Sequence, residues 1–298
     1  MTAGELTVLG PDPAAIAEAV RVALAEDLRY GPDATTEATV GADIRAHAAI
    51  TPREPGVLAG GLVALAAFRA VLGDDVEIRQ VVPDGSVMVP GEPVLQLTGP
   101  VRGLLTAERT ALNLVSQLSG VATLTRRWVD AVAGTGARIR DTRKTVPGLR
   151  SLQKYAVRCG GGVNHRLGLG DACLIKDNHV VAAGSVTAAV RAVRAFAGAL
   201  PLEVEVDTLE QLDEALACGA GLILLDNFDL AATAEAVDRA RAYGGRAGRH
   251  VALEASGGLT LDRAAAVAAA GVDYLAVGAL THSAPIVDIG MDLTAGQG

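Results

Sequence analysis

Lysine and arginine are concentrated in one segment of the chain, between Arg138 and Val180. The segment contains all three lysines of the protein and six arginines but only three aspartates, so its net charge is +6 in a chain of formal net charge −8. Such a segment in an acidic protein indicates a focused site for a small, highly anionic ligand rather than a nucleic-acid surface. A solvated basic face is the alternative. The charges alternate with Gly160–Gly162 and with strand-like apolar runs, which favours a site.

Four side chains of this segment suit carboxylates or phosphates. The planar guanidinium groups of Arg143 and Arg166 match a carboxylate in bidentate fashion. Lys176 could form a Schiff base, as in barrel aldolases, or neutralise a phosphate; neighbouring acids disfavour the neutral amine that a Schiff base needs, so we favour the phosphate. His165 lies after the glycines on a loop that we expect to be flexible. It is equally compatible with a ligand role and with a structural, hydrogen-bonded role.

Acids and glycine-rich turns further along the chain supply complementary chemistry. Glu205 and Asp226 could bind Mg²⁺ through water and phosphates, or accept hydrogen bonds from sugar hydroxyls. Ser256-Gly257-Gly258 and, later, Gly278 each follow a strand-like run, and His282 comes shortly after the second turn. Turns of this kind bind phosphate when a helix begins beside them, although glycine is also common in ordinary tight turns.

These side chains follow strands that alternate with Ala-rich helical segments. The strand-like runs are 137–141, 172–175, 202–206, 222–225, 251–254 and 274–277. The helical patterns between them are 186–196, 209–217, 231–242 and 261–270. Alternation of this kind predicts a parallel sheet and an α/β barrel of the TIM type, incomplete at six strands, whose active site lies at the C-terminal strand ends. Charges that converge there are costly unless they are paired or meet a ligand.

The first third of the chain predicts a smaller α/β sheet domain without a catalytic cluster. The predicted strands are 46–51, 76–82, 86–89 and 94–98, and the predicted helices are 13–28, 62–72 and 103–132. Gly120 could break the last helix into two, and Thr35 begins a predicted loop. Residues 286–293 alternate like a strand that could return to this sheet. Arg109 alone has the pattern of an ordinary surface charge.

Composition excludes several classes of protein. Half of the residues are hydrophobic and only 3% are aromatic, which fits an Ala/Val/Leu core and disfavours stacking platforms for nucleic acid. Three cysteines without paired spacing disfavour a disulfide framework or a zinc site and fit a reduced cytoplasm. We find neither a secretory signal pattern nor an apolar run long enough for a bilayer, so we expect a cytoplasmic protein without a membrane partner.

Several segments resemble one enzyme family, quinolinate phosphoribosyltransferase. The similarity runs in family order from Gly103 to Ser283, and a further matching segment, EDLRYGPDATT, precedes it. Val146, where the family often has Thr, and the variable position 163 are minor departures. The matching segments are GLLTAERTALNLVSQLSGVAT, RDTRKTVPGLRSLQKYAVRCGGGVNHR, LIKDNHV, EVEVDTLEQL, LILLDNF, EASGGL and DYLAVGALTHS.

The resemblance implies a type II phosphoribosyltransferase fold in a head-to-tail homodimer. An N-terminal α/β sandwich would span residues 1–116, joined by the tail 286–298, and an incomplete α/β barrel would span 117–285. The implied reaction joins quinolinate to phosphoribosyl pyrophosphate, with Mg²⁺, and gives nicotinate mononucleotide, pyrophosphate and carbon dioxide. The charge inventory agrees, since these substrates carry carboxylates, phosphates and ribose hydroxyls.

The resemblance also implies residue roles. Arg143, His165 and Arg166 would bind the carboxylates of quinolinate, and the partner subunit would insert Arg109. The catalytic cations would be Lys144 and Lys176, and the acids at the ribose and the metal would be Glu205 and Asp226. The 5-phosphate would be held at Ser256, Gly257, Gly278 and His282.

Three other functions remain open on sequence grounds. A phosphoribosyltransferase for another aromatic acid, such as nicotinate, would need cations for one carboxylate instead of two. A Schiff-base aldolase would use Lys176. A phosphate-binding scaffold would explain the basic segment, but not the acids that face it across the predicted barrel mouth.

Overall fold

The computed structural model describes residues 10–295, so the ends of the predicted N-terminal domain and tail, 1–9 and 296–298, lie outside the described residues. The helices are α1 (Pro13–Asp27), α2 (Ala34–Thr39), α3 (Gly61–Leu72), α4 (Val101–Ala131), α5 (Arg150–Cys159), α6 (Asp177–Ala183), α7 (Val186–Ala197), α8 (Leu209–Ala217), α9 (Leu230–Ala247), α10 (Leu261–Ala269) and α11 (Ala279–His282). The strands are β1 (Arg45–Pro52), β2 (Gly56–Val57), β3 (Glu77–Gln80), β4 (Val87–Met88), β5 (Leu95–Pro100), β6 (Arg138–Arg140), β7 (Cys173–Ile175), β8 (Leu202–Val206), β9 (Leu222–Asp226), β10 (Ala252–Ser256), β11 (Tyr274–Ala276) and β12 (Ile289–Ala295).

The chain divides into two compact units. The first comprises residues 1–126, 145–161 and 279–298, and the second comprises 127–144 and 162–278. The sequence-based boundary at 116/117 falls inside α4, ten residues before the first unit ends. The segment 145–161, which we assigned to the barrel, belongs to the first unit and contributes α5 to it.

The first unit is built on an antiparallel sheet with strand order β12-β1-β5-β3. Along β1, Ala46, Ala48 and Ile50 are buried while Arg45 and His47 are exposed, which is the period-two alternation of a sheet with one buried face. Ala48 lies opposite Leu97 of β5 and Leu293 of β12 in this register. The predicted return of the tail to the N-terminal sheet is therefore confirmed.

Helix α4 runs for 31 residues without a break, so the predicted interruption at Gly120 is wrong. Within the first unit, a Cβ atom at Gly120 would lie 2.1 Å from the carbonyl oxygen of Pro285. Glycine is therefore required for the close approach of another backbone segment rather than for a kink.

The second unit contains six parallel strands in the order β6-β11-β10-β9-β8-β7. The predicted strands are confirmed with small changes at their ends. Ser185, Thr208 and Asp229 each precede a helix, and their side chains accept a hydrogen bond from the helical backbone. Strands β6 and β7 end the sheet, and Val163 forms a single parallel bridge with Arg140 of β6. The architecture is an incomplete α/β barrel, as expected.

Helices α2, α5 and α6 lie outside the predicted helices. Helix α2 begins at Ala34, so Thr35 lies in a helix and not at the start of a loop. The Asp33 carboxylate caps this helix by accepting a hydrogen bond from the backbone N of Thr36, at 3.0 Å. Helix α5 was not predicted, because charged residues interrupt its apolar pattern, although seven of its ten residues, including Gln153, are buried. Helix α6 follows directly from Lys176.

The helices were also compared with the length and apolar composition that a membrane span requires. Among residues 10–295 no single helix meets both requirements, although α6 and α7, bent by 91° at their junction, meet them as a pair.

Candidate active site

A cavity of about 390 Å³ opens at the C-terminal strand ends of the second unit. It brings together eight of the predicted site residues, namely Arg143, Lys144, His165, Arg166, Lys176, Glu205, Asp226 and Ser256. The other lining residues are Thr142, Leu174, Leu224, Glu254 and Ala276. Cations and acids therefore share one cavity with a small apolar surface.

The remaining predicted residues occupy other positions. Gly257, at φ +87°, packs on Asn227, because a Cβ atom there would lie 2.1 Å from the Asn227 Oδ1. Gly278 is the last residue of the second unit. Arg109 on α4 and His282 at the end of α11 are both exposed and belong to the first unit. Their roles stay predictions.

Strand periodicity explains how the acids reach the cavity. Residues two apart on a strand share a face, so Glu203 and Glu205 of β8 point the same way, as do Glu254 and Ser256 of β10. Ser256 lies opposite Asp226 in the register of β10 and β9. Strands β8 and β10 thus each place one residue, Glu205 or Ser256, near their C-terminal ends at the mouth of the cavity. The other residue of each pair, Glu203 or Glu254, lies deeper.

Lys176 and Glu205 form an ion pair at this mouth. The lysine side chain is 46% exposed, whereas the Glu205 side chain is 8% exposed. The backbone N of Lys176 donates a hydrogen bond to Nδ1 of His179 at 2.9 Å, which fixes the turn into α6. The ammonium group is held by a carboxylate while its outer side stays open to an anionic ligand.

Asp226 lies in an environment that disfavours its charge. Burial, followed by repulsion from Asp207, raises the pKa of Asp226 above its usual value, and Lys176 and Lys144 oppose the change. The side chain accepts a hydrogen bond from Asn227 Nδ2 at 2.7 Å. A cation bound beside Asp226 would offset these costs, and together with Glu205 it offers the oxygen donors that Mg²⁺ prefers.

Two arginines that line the cavity each have a buried Nε atom without a hydrogen-bond partner among the described residues. These arginines are Arg143 and Arg166. Burial, followed by repulsion from Arg143, lowers the pKa of Arg166. Its NH1 donates to the Ala172 carbonyl at 3.0 Å, which holds the group in place. Buried unpaired N–H donors are costly, so this pair calls for an anionic ligand.

The segment that carries His165 and Arg166 is held firmly, contrary to the flexible loop predicted from its glycines. Val163 N donates to the Ile139 carbonyl at 2.9 Å, so the segment lies along β6. The carboxylate of Asp141, fully buried, accepts hydrogen bonds from His165 N at 2.7 Å and from Asn164 Nδ2 at 2.5 Å. Beyond the single bridge at Val163 the segment is not paired as a strand among the residues that the structure describes, and the buried carboxylate of Asp141 holds Asn164 and His165 in place instead.

Sequence reasoning missed three charged residues, Arg140, Glu203 and Glu254, that form a cluster with the predicted site residue His165; His165 and Glu254 line the cavity, and Arg140 and Glu203 lie behind them. Arg140 NH1 lies 2.5 Å from Glu254 Oε2, and His165 Nε2 lies 2.9 Å from Glu203 Oε2. Burial and the charge of Glu203 raise the pKa of Glu254. The sequence contained a signal for these two acids. Glu203 stands two residues before Glu205, and Glu254 stands two residues before Ser256, so each shares a strand face with a predicted site residue.

The spacing of His165, Glu203 and Glu254 would also suit a metal ion, since one ligand atom from each lies within 4.8 Å of the others. However, His165 Nδ1 accepts a hydrogen bond from the backbone N of Arg166 at 2.7 Å, so the ring proton is on Nε2. A protonated Nε2 is a donor to Glu203 and cannot bind a metal ion. Glu205 and Asp226 remain the better candidates.

Two family models match the chain: the quinolinate phosphoribosyl transferase N-terminal domain over residues 33–119 and the C-terminal domain over 121–292. The chain is 60% identical to the carboxylating nicotinate-nucleotide pyrophosphorylase of Mycobacterium leprae, over 93% of this chain and 96% of that protein. It is 38% identical to the human protein of the same name, over 99% and 97%.

Solved structures agree with the sequence comparisons. The nicotinate-nucleotide pyrophosphorylase from Francisella tularensis superposes with a TM-score of 0.90 at 36% identity, covering 98% of this chain and all of that one. The chain belongs to the quinolinate phosphoribosyltransferase family, and it transfers a phosphoribosyl group to quinolinate in NAD biosynthesis.

Proposed function

We propose that the cavity of the second unit is where this reaction takes place, and that Arg143 and Arg166 bind the two carboxylates of quinolinate there, with His165 beside them. The observation that carries the proposal is the pair of buried Nε donors that have no partner within residues 10–295. A guanidinium and a carboxylate can form two parallel hydrogen bonds, which satisfies those donors and orients the ring. Leu174, Leu224 and Ala276 supply apolar surface for the flat pyridine.

The co-substrate occupies the other side of the same cavity. Lys144 and Lys176, both exposed there, neutralise pyrophosphate, and the turn at Ser256-Gly257, with Gly278, holds the 5-phosphate. Gly257 supports this role because its left-handed backbone turns immediately before α10, although it packs on Asn227 rather than lining the cavity. Ribose hydroxyls would then lie near Glu205 and Asp226.

Mg²⁺ fits Glu205 and Asp226, which would hold it directly or through water. The ion would supply positive charge that stabilises the leaving pyrophosphate. Glu205 binds the ammonium of Lys176 in the free protein. When substrates and metal bind, Lys176 can contact pyrophosphate instead, and Glu205 can contact the metal or the ribose. Asp226 gains most from such a cation, because burial and Asp207 oppose its charge in the free protein.

The chemistry needs positioning and electrostatics rather than a covalent enzyme intermediate. The bond between the anomeric carbon and pyrophosphate breaks, and Lys144 and Lys176 stabilise the departing anion. The ribose ring becomes positively charged, and Glu205 with Asp226 stabilises that charge. The pyridine nitrogen bonds to the anomeric carbon. Carbon dioxide then leaves from ring position 2, its bonding electrons stay on the ring beside the positive nitrogen, and a proton takes its place.

The active form is a homodimer in the cytoplasm. The homodimer is supported by Arg109, which is an exposed cation on α4, as a residue that reaches a neighbouring subunit must be. The cytoplasmic location is supported by Cys159, Cys173 and Cys218, which are all free thiols.

The decisive assay measures carbon dioxide released from quinolinate labelled at the 2-carboxylate, with phosphoribosyl pyrophosphate and Mg²⁺. We expect one labelled carbon dioxide for each nicotinate mononucleotide, and little product from nicotinate as the acceptor. Equal turnover of nicotinate would overturn the two-carboxylate assignment. Trapping of a carbonyl substrate by borohydride would instead revive the aldolase hypothesis, which the ion pair of Lys176 with Glu205 disfavours.

A further inference from the structure

Both ring nitrogens of His165 are engaged by the protein. Nδ1 accepts a hydrogen bond from the backbone N of Arg166 at 2.7 Å, and Nε2 lies 2.9 Å from Glu203 Oε2. Since Nδ1 is an acceptor, Nε2 carries the proton and donates it to the carboxylate. The imidazole therefore joins a buried acid to the backbone of a residue that lines the cavity.

Glu203 is itself fixed from below. Its side chain is 5% exposed, and its Oε2 also lies 3.8 Å from Arg140 NH1. Arg140 is held by Glu254 at 2.5 Å and by the ring of Tyr274, whose centroid lies 5.0 Å from the guanidinium carbon. A buried ion pair of this kind is weak evidence for stability, since a well-packed apolar cluster often does as well, so a different role has to be considered.

Glu203 also differs from its neighbour on the same strand face. Glu205 lines the cavity and contacts Lys176, whereas Glu203 is absent from the lining and makes its closest ion-pair contact to His165, which does line it. A group placed in this way cannot contact a substrate in the cavity. It can still decide where Arg166 lies.

We propose that Glu203 is a positioning residue for quinolinate binding: it fixes the imidazole of His165, and His165 fixes the backbone of Arg166 beside the cavity. This inference rests on the proposed role of Arg166 as a carboxylate ligand. It assigns the buried cluster of Arg140, Glu203 and Glu254 to the preorganisation of that ligand.

Two substitutions at one position separate positioning from folding. In Glu203→Gln the amide oxygen can still accept from His165 Nε2, and the amide N–H can donate to Glu254 Oε1, which has no hydrogen-bond partner within residues 10–295. In Glu203→Leu the acceptor is lost while the volume is nearly kept. We expect Glu203→Leu to raise KM for quinolinate by about tenfold or more and to leave KM for the co-substrate within about twofold, with Glu203→Gln close to wild type.

A matched control uses another carboxylate of the second unit. Glu214 accepts a hydrogen bond from Thr187 N at 2.7 Å at the start of α7 and does not line the cavity. Glu214→Leu should lower the melting temperature without changing either KM. If Glu203→Leu behaves in the same way, or raises both KM values equally, the proposal is wrong; the same holds if Glu203→Gln is as defective as Glu203→Leu.

A spectroscopic readout is independent of turnover. The chain has five histidines, so ¹⁵N spectra of histidine-labelled protein can be assigned with a His165→Asn variant. We expect the Nε2–H tautomer in all three proteins, because Arg166 N donates to Nδ1 in each of them. The Nε2–H resonance should show the shift and slow exchange of a hydrogen-bonded proton in wild type and in Glu203→Gln, and should lose both in Glu203→Leu, which has no acceptor. An Nε2–H signal that is the same in Glu203→Leu as in wild type would overturn the proposal. If Arg166→Ala left KM for quinolinate unchanged, the proposed role of Arg166 would fail instead, whatever the Nε2–H signal.

Discussion

The cations of the cavity differ in how the protein holds them. Arg143 and Arg166 have buried Nε donors without a partner in the part of the chain that the structure describes, whereas Lys176 is half exposed and paired with Glu205. Unsatisfied, fixed donors favour a ligand that must be oriented, and an exposed ammonium favours one whose charge must be neutralised and released. At the scale of single residues, this difference supports our proposal that the arginines bind quinolinate and the lysines bind pyrophosphate.

Arg166→Ala should nearly abolish quinolinate turnover. Removing a bidentate cation from a dry site costs about 2–5 kcal/mol, which corresponds to a loss of roughly 30-fold to several thousand-fold in kcat/KM. Arg166→Lys keeps the positive charge but loses the two parallel N–H donors, so its kcat/KM should lie between those of wild type and Arg166→Ala. Steady-state kinetics with quinolinate varied will show this, and near-normal turnover in Arg166→Ala would contradict the role.

Asp226→Asn should stabilise the protein without substrates while it lowers activity. The pKa of Asp226 is raised in the folded chain, so its contribution to stability is greatest below the ordinary aspartate pKa and is lost as pH rises through the folded value. Melting temperatures should therefore be higher in Asp226→Asn than in wild type at neutral pH, and the difference should shrink toward about pH 4. A constant difference across this range would exclude the titration of Asp226 as its cause.

The same variant tests the metal assignment. Loss of one carboxylate should increase the Mg²⁺ concentration required for half-maximal activity, since a neutral amide is a weaker ligand for a hard cation. Titration of Mg²⁺ at saturating substrates measures this, with Glu214→Leu as the control. An unchanged requirement in both Asp226→Asn and Glu205→Gln would contradict metal binding at these acids.

Individual elements explain which parts of the fold were predictable. Strand β9 was found because an uninterrupted apolar run ends in a polar residue, which also located Asp226, and β8 was found because apolar residues alternate with Glu203 and Glu205. Helix α5 was missed because Lys154 and Arg158 break its apolar pattern, although Lys154 is buried. Gly120 is explained by its close approach to Pro285, about 165 residues away in sequence, and no local pattern can report such a contact, so the glycine was misread as a helix break.

Gly120→Ala should destabilise the first unit. Alanine at an open helical site gains ~1 kcal/mol over glycine, but at Gly120 the new Cβ would lie 2.1 Å from the Pro285 carbonyl oxygen. Gly245→Ala in α9 is the matched control, because no atom lies within 4 Å of a Cβ there. Urea unfolding should show opposite signs for the two variants, and stabilisation in both would rule out the close approach at Gly120.

For the whole molecule, the outstanding question is whether one chain makes a complete site. Arg109 belongs to the first unit and is exposed, while Arg143 and Arg166 line the cavity of the second. The family resemblance implies that Arg109 reaches the site of a partner copy. If a partner subunit supplies Arg109, two inactive variants with defects on different chains can complement each other in a mixed dimer. Variants of a chain that forms a complete site by itself cannot do this.

Mixing inactive Arg109→Ala with inactive Arg166→Ala should restore activity. In a mixed dimer one site carries both defects and the other carries neither, so random exchange of subunits should regain about a quarter of wild-type activity. The measurement is activity after unfolding and refolding the two variants together, compared with each refolded alone. No recovery, with dimers present, would show that Arg109 acts within its own chain.

The pairing of β12 with β1 imposes an order on biosynthesis. Strand β1 is complete within the first 52 residues, but one of its edges stays open until residues 289–295 have been made. All of the second unit is translated in that interval, because its residues lie between 127 and 278. The nascent chain thus carries an unsatisfied strand edge for most of its synthesis, and a substitution that slows the folding of the second unit prolongs the time in which another nascent chain can pair there.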